Sequence, residues 1–277
     1  MFDLEAVETA LHDKGWELPL VLCDEVDSTN LEAKRLVRRG ELLKGGIVLA
    51  DRQTAGKGRL GRAWVAAEGK DLTFSLVFRN DLNRVDIPKT GLAAALGICH
   101  ALEKDYSIGA RLKWPNDILI GGEKISGILS EYVTPEEFII IGIGINVNSD
   151  KRNWSFSTVT KPTSLKITAG NELEREPLLA SCAVGVRDFL TFAKWEYFPT
   201  FQTLYETRAF YDNMRVAVYL DAYNDDESTV DESNSQAAKR VIEGIALGID
   251  RYGALRVKDD DGNDHIIRAG DMVLPTG

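Results

Sequence analysis

One basic, glycine-rich stretch restricts the fold more than any other part of the chain. It runs from Asp51 to Trp64 with the sequence DRQTAGKGRLGRAW. Gly56, Gly58 and Gly61 allow backbone conformations that other residues avoid. Four cations lie among these glycines, at Arg52, Lys57, Arg59 and Arg62. A loop of this kind can surround an anion with backbone N–H groups and fixed positive charge.

The residues that follow this stretch exclude the common phosphate-binding folds. GKGRLG, at 56–61, matches G-x-G-x-x-G, but a dinucleotide-binding fold needs a helix that opens at these glycines. Gly69 interrupts the chain soon afterwards, and 72–78 has the character of a strand. The P-loop and protein-kinase motifs are absent from the sequence. We therefore predict an anion-binding loop that joins two strands and is mobile without ligand.

The remaining apolar segments predict an α+β fold, with a mixed, mainly antiparallel sheet backed by helices. A tight turn such as 121–123 joins antiparallel neighbours. The predicted strands are 21–26, 47–50, 72–78, 118–120, 124–132 and 138–145. The predicted helices are a short N-terminal one, 31–39, 86–102, 176–194 and 201–208. Ser28 or Thr29 is expected to cap the helix 31–39, and the small residues of 86–102 suit close packing on a sheet.

The character of the chain changes after Asn213. Short strands and turns predict a small barrel-like domain, with strands at 215–220, 241–248, 254–258 and 265–269. We therefore divide the chain into domains at 1–212 and 213–277. The segment 221–236 contains six acidic residues and no Lys or Arg. Such composition predicts a disordered, solvated insertion between two strands.

Composition excludes several classes of function. The net charge of −10 argues against a nucleic-acid or anionic-membrane partner. No apolar run reaches the length of a membrane span, and acidic residues at the N-terminus argue against a signal peptide, so a cytoplasmic location is expected. The three cysteines and three histidines have no disulfide, zinc or catalytic spacing. No protein metal site is therefore predicted.

Three further motifs make the pattern specific. They are KWPND at 113–117, EKISGIL at 123–129 and GIGINVN at 142–148, and Ser28-Thr29-Asn30 precedes them. Their order and spacing resemble those of the biotin protein ligases (biotin–acetyl-CoA-carboxylase ligases), from about Val21 to the end of the chain. About 20 residues precede Val21, too few for a helix-turn-helix with its own core. We therefore expect the short form, without a DNA-binding domain.

The resemblance implies a fold and a reaction. The fold is a catalytic domain similar to class II synthetases, followed by a small SH3-like β-barrel. The reaction is the ATP-dependent activation of biotin to biotinyl-5′-AMP with release of pyrophosphate, followed by transfer to a lysine of a biotin carboxyl carrier domain. ATP, Mg²⁺ and biotin are the expected small molecules. Both a monomer and a homodimer remain open.

The resemblance also assigns residues. Joining a carboxylate to a phosphate requires fixed cations and donor dipoles, because negative charge accumulates at the reacting centre. The expected catalytic residues are Lys113, Arg59 and Asp117. The expected biotin-binding residues are Ser28, Thr29, Asn30, Gln53, Gly56, Arg59, Lys113, Gly142 and Gly144. The expected ATP-binding residues are Arg62, Trp64, Asn116, Lys124 and Asn146, with Trp64 stacked on adenine.

One assigned position leaves alternatives open, and one residue of the loop departs from the family pattern. Asp117 could orient or deprotonate the acceptor amine, hold Mg²⁺, or be a turn aspartate after the proline. Lys57 departs from the arginine of the bacterial family members, and it keeps the charge but loses the planar fork of hydrogen-bond donors. This departure concerns the detail of the loop rather than the function.

Other functions are compatible with parts of the pattern. A lipoate ligase has a similar catalytic fold and also makes an acyl-adenylate, but KWPND together with the basic glycine loop favours biotin. A biotin-sensing regulator without catalysis is disfavoured by the net charge of −10 and the short N-terminus. A non-catalytic binding module is disfavoured by the presence of Lys113, Arg59 and Asn146.

Overall fold

A seven-stranded mixed sheet forms the larger part of the protein, whose computed structural model describes residues 1–154, 160–220 and 241–274. The strand order is β1-β2-β3-β7-β6-β5-β4. The strands are β1 Leu20–Val26, β2 Gly46–Gln53, β3 Leu72–Arg79, β4 Arg111–Lys113, β5 Asp117–Ile120, β6 Glu123–Val133 and β7 Phe138–Ile145. In the described chain β1 and β2 are parallel and the other neighbours are antiparallel, which confirms the predicted α+β class.

Helices cover both faces of this sheet. They are α1 Leu4–Asp13, α2 Thr29–Arg38, α3 Thr90–Tyr106, α4 Leu165–Ala169, α5 Arg175–Leu190 and α6 Phe198–Glu206. Alternate residues of β2 enter separate cores: Ile47 and Leu49 join the core that contains α1, α3 and α5, and Val48 joins the core under α2. This alternation follows from the two-residue period of a strand.

The small residues of α3 serve two contacts. A Cβ at Gly91 would lie 3.7 Å from Ser130 Cβ on β6, and a Cβ at Gly97 would lie 2.4 Å from the carbonyl oxygen of Gly185 on α5. The prediction that these residues pack on a sheet was therefore incomplete, because the closest approach is between two helices. Glycine at both 97 and 185 lets the backbones of α3 and α5 touch.

The beginning of α2 differs from the prediction. Ser28 occupies the N-cap position, but its side chain makes no capping hydrogen bond. The helix begins at Thr29 rather than at Leu31. Both residues are buried, so their side chains are directed into the protein instead of closing the helix end.

The C-terminal part forms a second, five-stranded sheet with the strand order β11-β10-β9-β8-β12. The strands are β8 Arg215–Tyr219, β9 Val241–Ile249, β10 Leu255–Lys258, β11 Asp264–Ile267 and β12 Asp271–Val273. Four of these strands match the prediction; β12, and in the first part of the chain strand β4 and helix α4, were not predicted. Trp114 joins the two sheets, because its Nε1 donates to the carbonyl oxygen of Gly253 at 3.0 Å. The acidic segment 221–236 lies outside the described residues.

Two further findings concern membrane-spanning helices and the cysteines in the described part of the chain. None of the helices there is both long enough and apolar enough to cross a membrane. Cys23, Cys99 and Cys182 are free thiols.

Candidate active site

A cavity of about 610 Å³ opens on the α2 face of the large sheet. Its walls come from the N-terminus of α2, the glycine-rich loop, strands β4 to β7 and the beginning of β12. Nearly every residue proposed from the sequence lies on these walls: Ser28, Thr29, Asn30, Gln53, Arg59, Arg62, Trp64, Lys113, Asn116, Asp117, Lys124, Gly142, Gly144 and Asn146. Segments far apart in sequence therefore meet in one place.

Gly56 is the exception. It is buried behind the wall, where a Cβ would lie 2.5 Å from the carbonyl oxygen of Trp64. Its own carbonyl accepts from the Trp64 N–H at 2.9 Å. Gly56 therefore closes the base of the loop, and the space for a ligand lies beyond it.

Glycines form the floor of the cavity. Gly127 on β6 is paired with Gly144 on β7, and Gly142 lies two residues before Gly144 on the same face. A Cβ at Gly142 would lie 2.3 Å from Asn30 Oδ1, and one at Gly144 would lie 2.1 Å from Trp64 Cε2. The bare backbone here lets side chains or a ligand rest directly on the sheet.

The indole of Trp64 lies on this floor. Its ring contacts the backbone at Gly127 and Gly144, and the Lys124 ammonium lies 5.6 Å from the ring centroid. The indole Nε1 is buried without a hydrogen-bond partner. The expected stacking on adenine therefore requires the indole to leave this position or the base to bind on its outer face.

One end of the cavity is neutral and rich in hydrogen bonds. The Thr29 N–H donates to Gln53 Oε1 at 2.8 Å. Ser75, which the sequence analysis did not single out, contacts Thr29 Oγ1 at 2.7 Å and Asn30 Oδ1 at 2.6 Å. Ser75 lies on β3 opposite Gly142, and nothing in its local sequence distinguishes it from an ordinary strand serine.

The opposite end carries two lysines and one carboxylate. Asp117 Oδ1 is 2.6 Å from Lys124 Nζ, and Asp117 Oδ2 is 3.9 Å from Lys113 Nζ. The Lys113 ammonium also donates to Thr160 Oγ1 at 2.7 Å. Burial lowers the pKa of Lys113, the charge of Asp117 raises it, and the charge of Lys124 lowers it further. Two cations thus share one carboxylate in a largely buried place.

The C-terminal sheet contributes to the site. Arg62 Nη2 is 2.6 Å from Asp271 Oδ1, and Arg59 Nη1 donates to the Gly270 carbonyl at 3.3 Å and to Asn116 Oδ1 at 3.4 Å. Asp271 was missed because it begins the three-residue strand β12, which gives no sequence signal. The basic loop is therefore attached to the second sheet through its arginines.

Two asparagines on the wall are engaged in backbone contacts. Asn146 Nδ2 donates to the Thr163 carbonyl at 2.9 Å, and Asn116 Nδ2 donates to the Ile128 carbonyl at 2.8 Å. Their amide N–H groups brace the loops around the cavity.

Comparisons with known proteins agree with this geometry. Residues 22–148 match the Biotin/lipoate A/B protein ligase family, and residues 237–274 match the Biotin protein ligase C terminal domain. The chain is 32% identical over 259 residues to the bifunctional ligase/repressor BirA of Bacillus subtilis, covering 90% of this chain and 72% of that protein. It is 33% identical over 176 residues to the biotin–[acetyl-CoA-carboxylase] ligase of Paracoccus denitrificans, covering 61% of this chain and 70% of that protein.

A solved structure shows the same similarity. The biotin protein ligase from Aquifex aeolicus in complex with biotin and ATP superimposes with a TM-score of 0.72 at 28% identity. The match covers 93% of this chain and 99% of that one. The similarity therefore extends across both sheets.

Proposed function

Because this chain belongs to the Biotin/lipoate A/B protein ligase family, we propose that it activates biotin with ATP and transfers it to a lysine of a biotin carboxyl carrier domain. One observation carries the proposal: a neutral hydrogen-bonding end and a cationic end face one cavity across a glycine floor. Biotin has a cyclic urea at one end and a carboxylate at the other. We assign residues 1–212 to the catalytic domain and 213–277 to the C-terminal domain.

The cationic end suits the first half-reaction. A carboxylate oxygen attacks the α-phosphorus of ATP, the bond to the β-phosphate oxygen breaks, and pyrophosphate leaves. Lys113 and Lys124 would neutralise the two anions as they approach, and Arg62 would contact the phosphates once it separates from Asp271. Preorganised cations of this kind act without reorganising as charge develops.

Magnesium would enter this site with the nucleotide. Among the described residues, no group of three or more His, Cys, Asp and Glu side chains could hold a metal ion. Mg²⁺ is usually held by one or two carboxylates together with substrate phosphates. Asp117 is the wall carboxylate nearest the two lysines, so it would be the protein ligand, and the ion would add positive charge beside the phosphates.

The second half-reaction needs a neutral amine. The acceptor lysine attacks the acyl carbon of biotinyl-5′-AMP, AMP leaves with the bonding electrons, and the amine loses a proton. Asp117 is already paired with Lys124 at 2.6 Å. We therefore favour a role for Asp117 in positioning the two lysines over a role as the base.

The neutral end separates biotin from lipoate. A dithiolane ring has no N–H or carbonyl group, so it would displace water from Thr29 and Gln53, which bond to each other at 2.8 Å, without adding a hydrogen bond of its own. Removing polar groups from water without a replacement hydrogen bond costs about 1–3 kcal/mol each, so a lipoate ligase remains the alternative that the cavity favours less.

Measuring which acyl-adenylate the protein forms tests the proposal. The purified protein is incubated with ATP, Mg²⁺ and either biotin or lipoate, and acyl-adenylates are measured by mass spectrometry. We expect biotinyl-AMP, and labelling of an added biotin carboxyl carrier domain on a streptavidin blot. Lipoyl-AMP without biotinyl-AMP would contradict the proposal, and omission of ATP provides the control.

A further inference from the structure

Two carboxylates on the cavity wall face its cations, and they belong to different sheets. The described wall residues include five cations and these two carboxylates: Lys57, Arg59, Arg62, Lys113, Lys124, Asp117 and Asp271. Asp117 begins β5 of the large sheet and lies beside two lysines. Asp271 begins β12 of the C-terminal sheet and lies beside two arginines of the basic loop. The lysines and the arginines therefore each have a carboxylate of their own.

Asp271 is held by its sheet, whereas its partner lies on the loop. The Asp271 backbone is paired with Tyr219 on β8, and its Oδ1 is 2.6 Å from Arg62 Nη2 and 4.0 Å from Arg59 Nη1. A further hydrogen bond of Arg62 stays within the loop, from Nε to the Arg59 carbonyl at 3.3 Å. The Arg62 side chain is about half exposed, so it can turn toward a ligand once it separates from Asp271.

Asp271 lies where the phosphates of a nucleotide would compete with it. Burial lowers the pKa of Lys113, and the charges of Asp117 and Asp271 raise it against that effect. Asp271 therefore acts on the cationic end of the cavity as well as on the loop. Carboxylate and phosphate oxygens accept from the same guanidinium N–H groups. A phosphate that approaches Arg62 must displace Asp271, and until then the two anions repel each other.

We propose that Asp271 is a built-in competitor of the triphosphate, which holds Arg62 while the nucleotide site is empty and opposes the nucleotide until Arg62 exchanges carboxylate for phosphate. The inference rests on the proposed function, because it takes the incoming anion to be the triphosphate of ATP. The exchange transfers the loop from the C-terminal sheet to the ligand. Removing the charge of Asp271 should therefore tighten nucleotide binding, whereas removing a residue that binds the nucleotide would weaken it.

The test measures the binding of α,β-methylene-ATP, in which a carbon bridge prevents the release of pyrophosphate. Dissociation constants are measured by calorimetry for the wild type and for Asp271→Asn, with Mg²⁺ and biotin present. Asparagine keeps the size of the side chain without its charge, and Asp271→Ser also removes the charge, so the test does not depend on one variant. Both variants should bind the analogue about three- to fivefold more tightly, because a partly exposed ion pair no longer has to be broken. Adenosine, which has no phosphate, should bind all three proteins equally.

A double-mutant cycle tests whether the effect passes through Arg62. Arg62→Ala removes the contested donor and should weaken the binding of the analogue. In that background Asp271→Asn should change the dissociation constant by less than about twofold, because its partner is already gone. Asp260→Asn is the matched control, since Asp260 belongs to the C-terminal domain, accepts two hydrogen bonds from Arg215 and lies outside the cavity wall. That control should keep the wild-type affinity.

The possible results separate the two claims. If the wild type does not bind the analogue, the proposed function fails, and this inference fails with it. If the wild type binds it but a folded Asp271→Asn binds it equally or more weakly, the competing role is refuted while the function stands, and weaker binding would make Asp271 a ligand of the nucleotide or its metal. Tighter binding that extends to adenosine, or that persists in Arg62→Ala, would also refute the role, because the gain would not come from exchange at Arg62.

Discussion

Two glycines of the cavity floor should respond very differently to the same substitution. Gly142 and Gly144 lie on one face of β7, and a Cβ at either position would approach another side chain closer than 2.5 Å. At Gly142 the obstacle is Asn30, which Glu131 and Ser75 hold in place. We expect Gly142→Ala to destabilise the protein far more than Gly144→Ala.

The magnitude follows from what must move. The Asn30 amide would have to shift by about 1 Å, and overpacking of this kind costs about 1–3 kcal/mol. The shift also breaks buried hydrogen bonds, which adds about 1–3 kcal/mol for groups left unpaired. A loss of about 3 kcal/mol in the free energy of unfolding is therefore expected for Gly142→Ala. At Gly144 the obstacle is the end of the Trp64 side chain on a surface loop, so the loss should be about 1 kcal/mol or less.

Urea unfolding followed by far-UV circular dichroism measures both values. Gly109→Ala is the control, because Gly109 is exposed and a Cβ there would meet nothing within 4 Å. Equal losses for Gly142→Ala and Gly144→Ala would refute the argument, since it depends on one obstacle being fixed and the other movable. A Gly142→Ala variant as stable as Gly109→Ala would refute it as well.

Four other changes test the cationic end and the loop. Lys113→Ala should slow pyrophosphate release on the order of 10²-fold, the effect of removing one preorganised charge; a rate near that of the wild type would exclude the role. Arg59→Gly should still make the adenylate but release it, so that added albumin becomes biotinylated; unlabelled albumin together with no free adenylate would assign Arg59 another role. Asp271→Asn removes the ion-pair partner of Arg62 and should speed tryptic cleavage of the basic loop 51–64 in the ligand-free protein. The increase should be about fivefold at most, since a partly exposed ion pair contributes about 1 kcal/mol or less. Unchanged cleavage would show that this ion pair does not restrain the loop. The pKa of Lys113 lies below its usual 10.5, mainly because of burial, and Asp117 raises it. Asp117→Asn should therefore lower this pKa further and move the alkaline fall of adenylate formation to lower pH, and a pH–rate profile that does not move would contradict this.

The main elements of the fold could be predicted because their signals are local. Alternating or continuous apolar runs marked β1 to β3 and β5 to β7, and the tight turn 121–123 joins β5 to β6. Helix α4 has five residues and strands β4 and β12 have three each, and all were missed because so few residues give no periodic pattern. The close contact between Gly97 and Gly185 was missed because it depends on how two helices meet.

The residues of the site were likewise predictable only where the local sequence is distinctive. The predicted site residues belong to short motifs of unusual composition, and all but Gly56 line the cavity. Ser75 and Asp271 gave no such signal, because a serine in a strand and an aspartate at a strand end are ordinary. Their importance comes from contacts with residues distant in sequence, Ser75 with Asn30 and Asp271 with Arg62.

The position of Asp117 between two lysines bears on whether the protein would acylate its own side chains. A mixed anhydride of biotin and AMP acylates amines, and the amines nearest to it would be those of Lys113 and Lys124. An ammonium ion has no lone pair with which to attack. Asp117 lies within 4 Å of both ammonium groups, and its charge raises the pKa of Lys113 against the effect of burial. The protein and its acceptor would then present the same functional group to the same reagent. For the proposed reaction, host and acceptor would differ in that Lys113 and Lys124 lie beside a carboxylate, whereas the incoming lysine would arrive as the free amine.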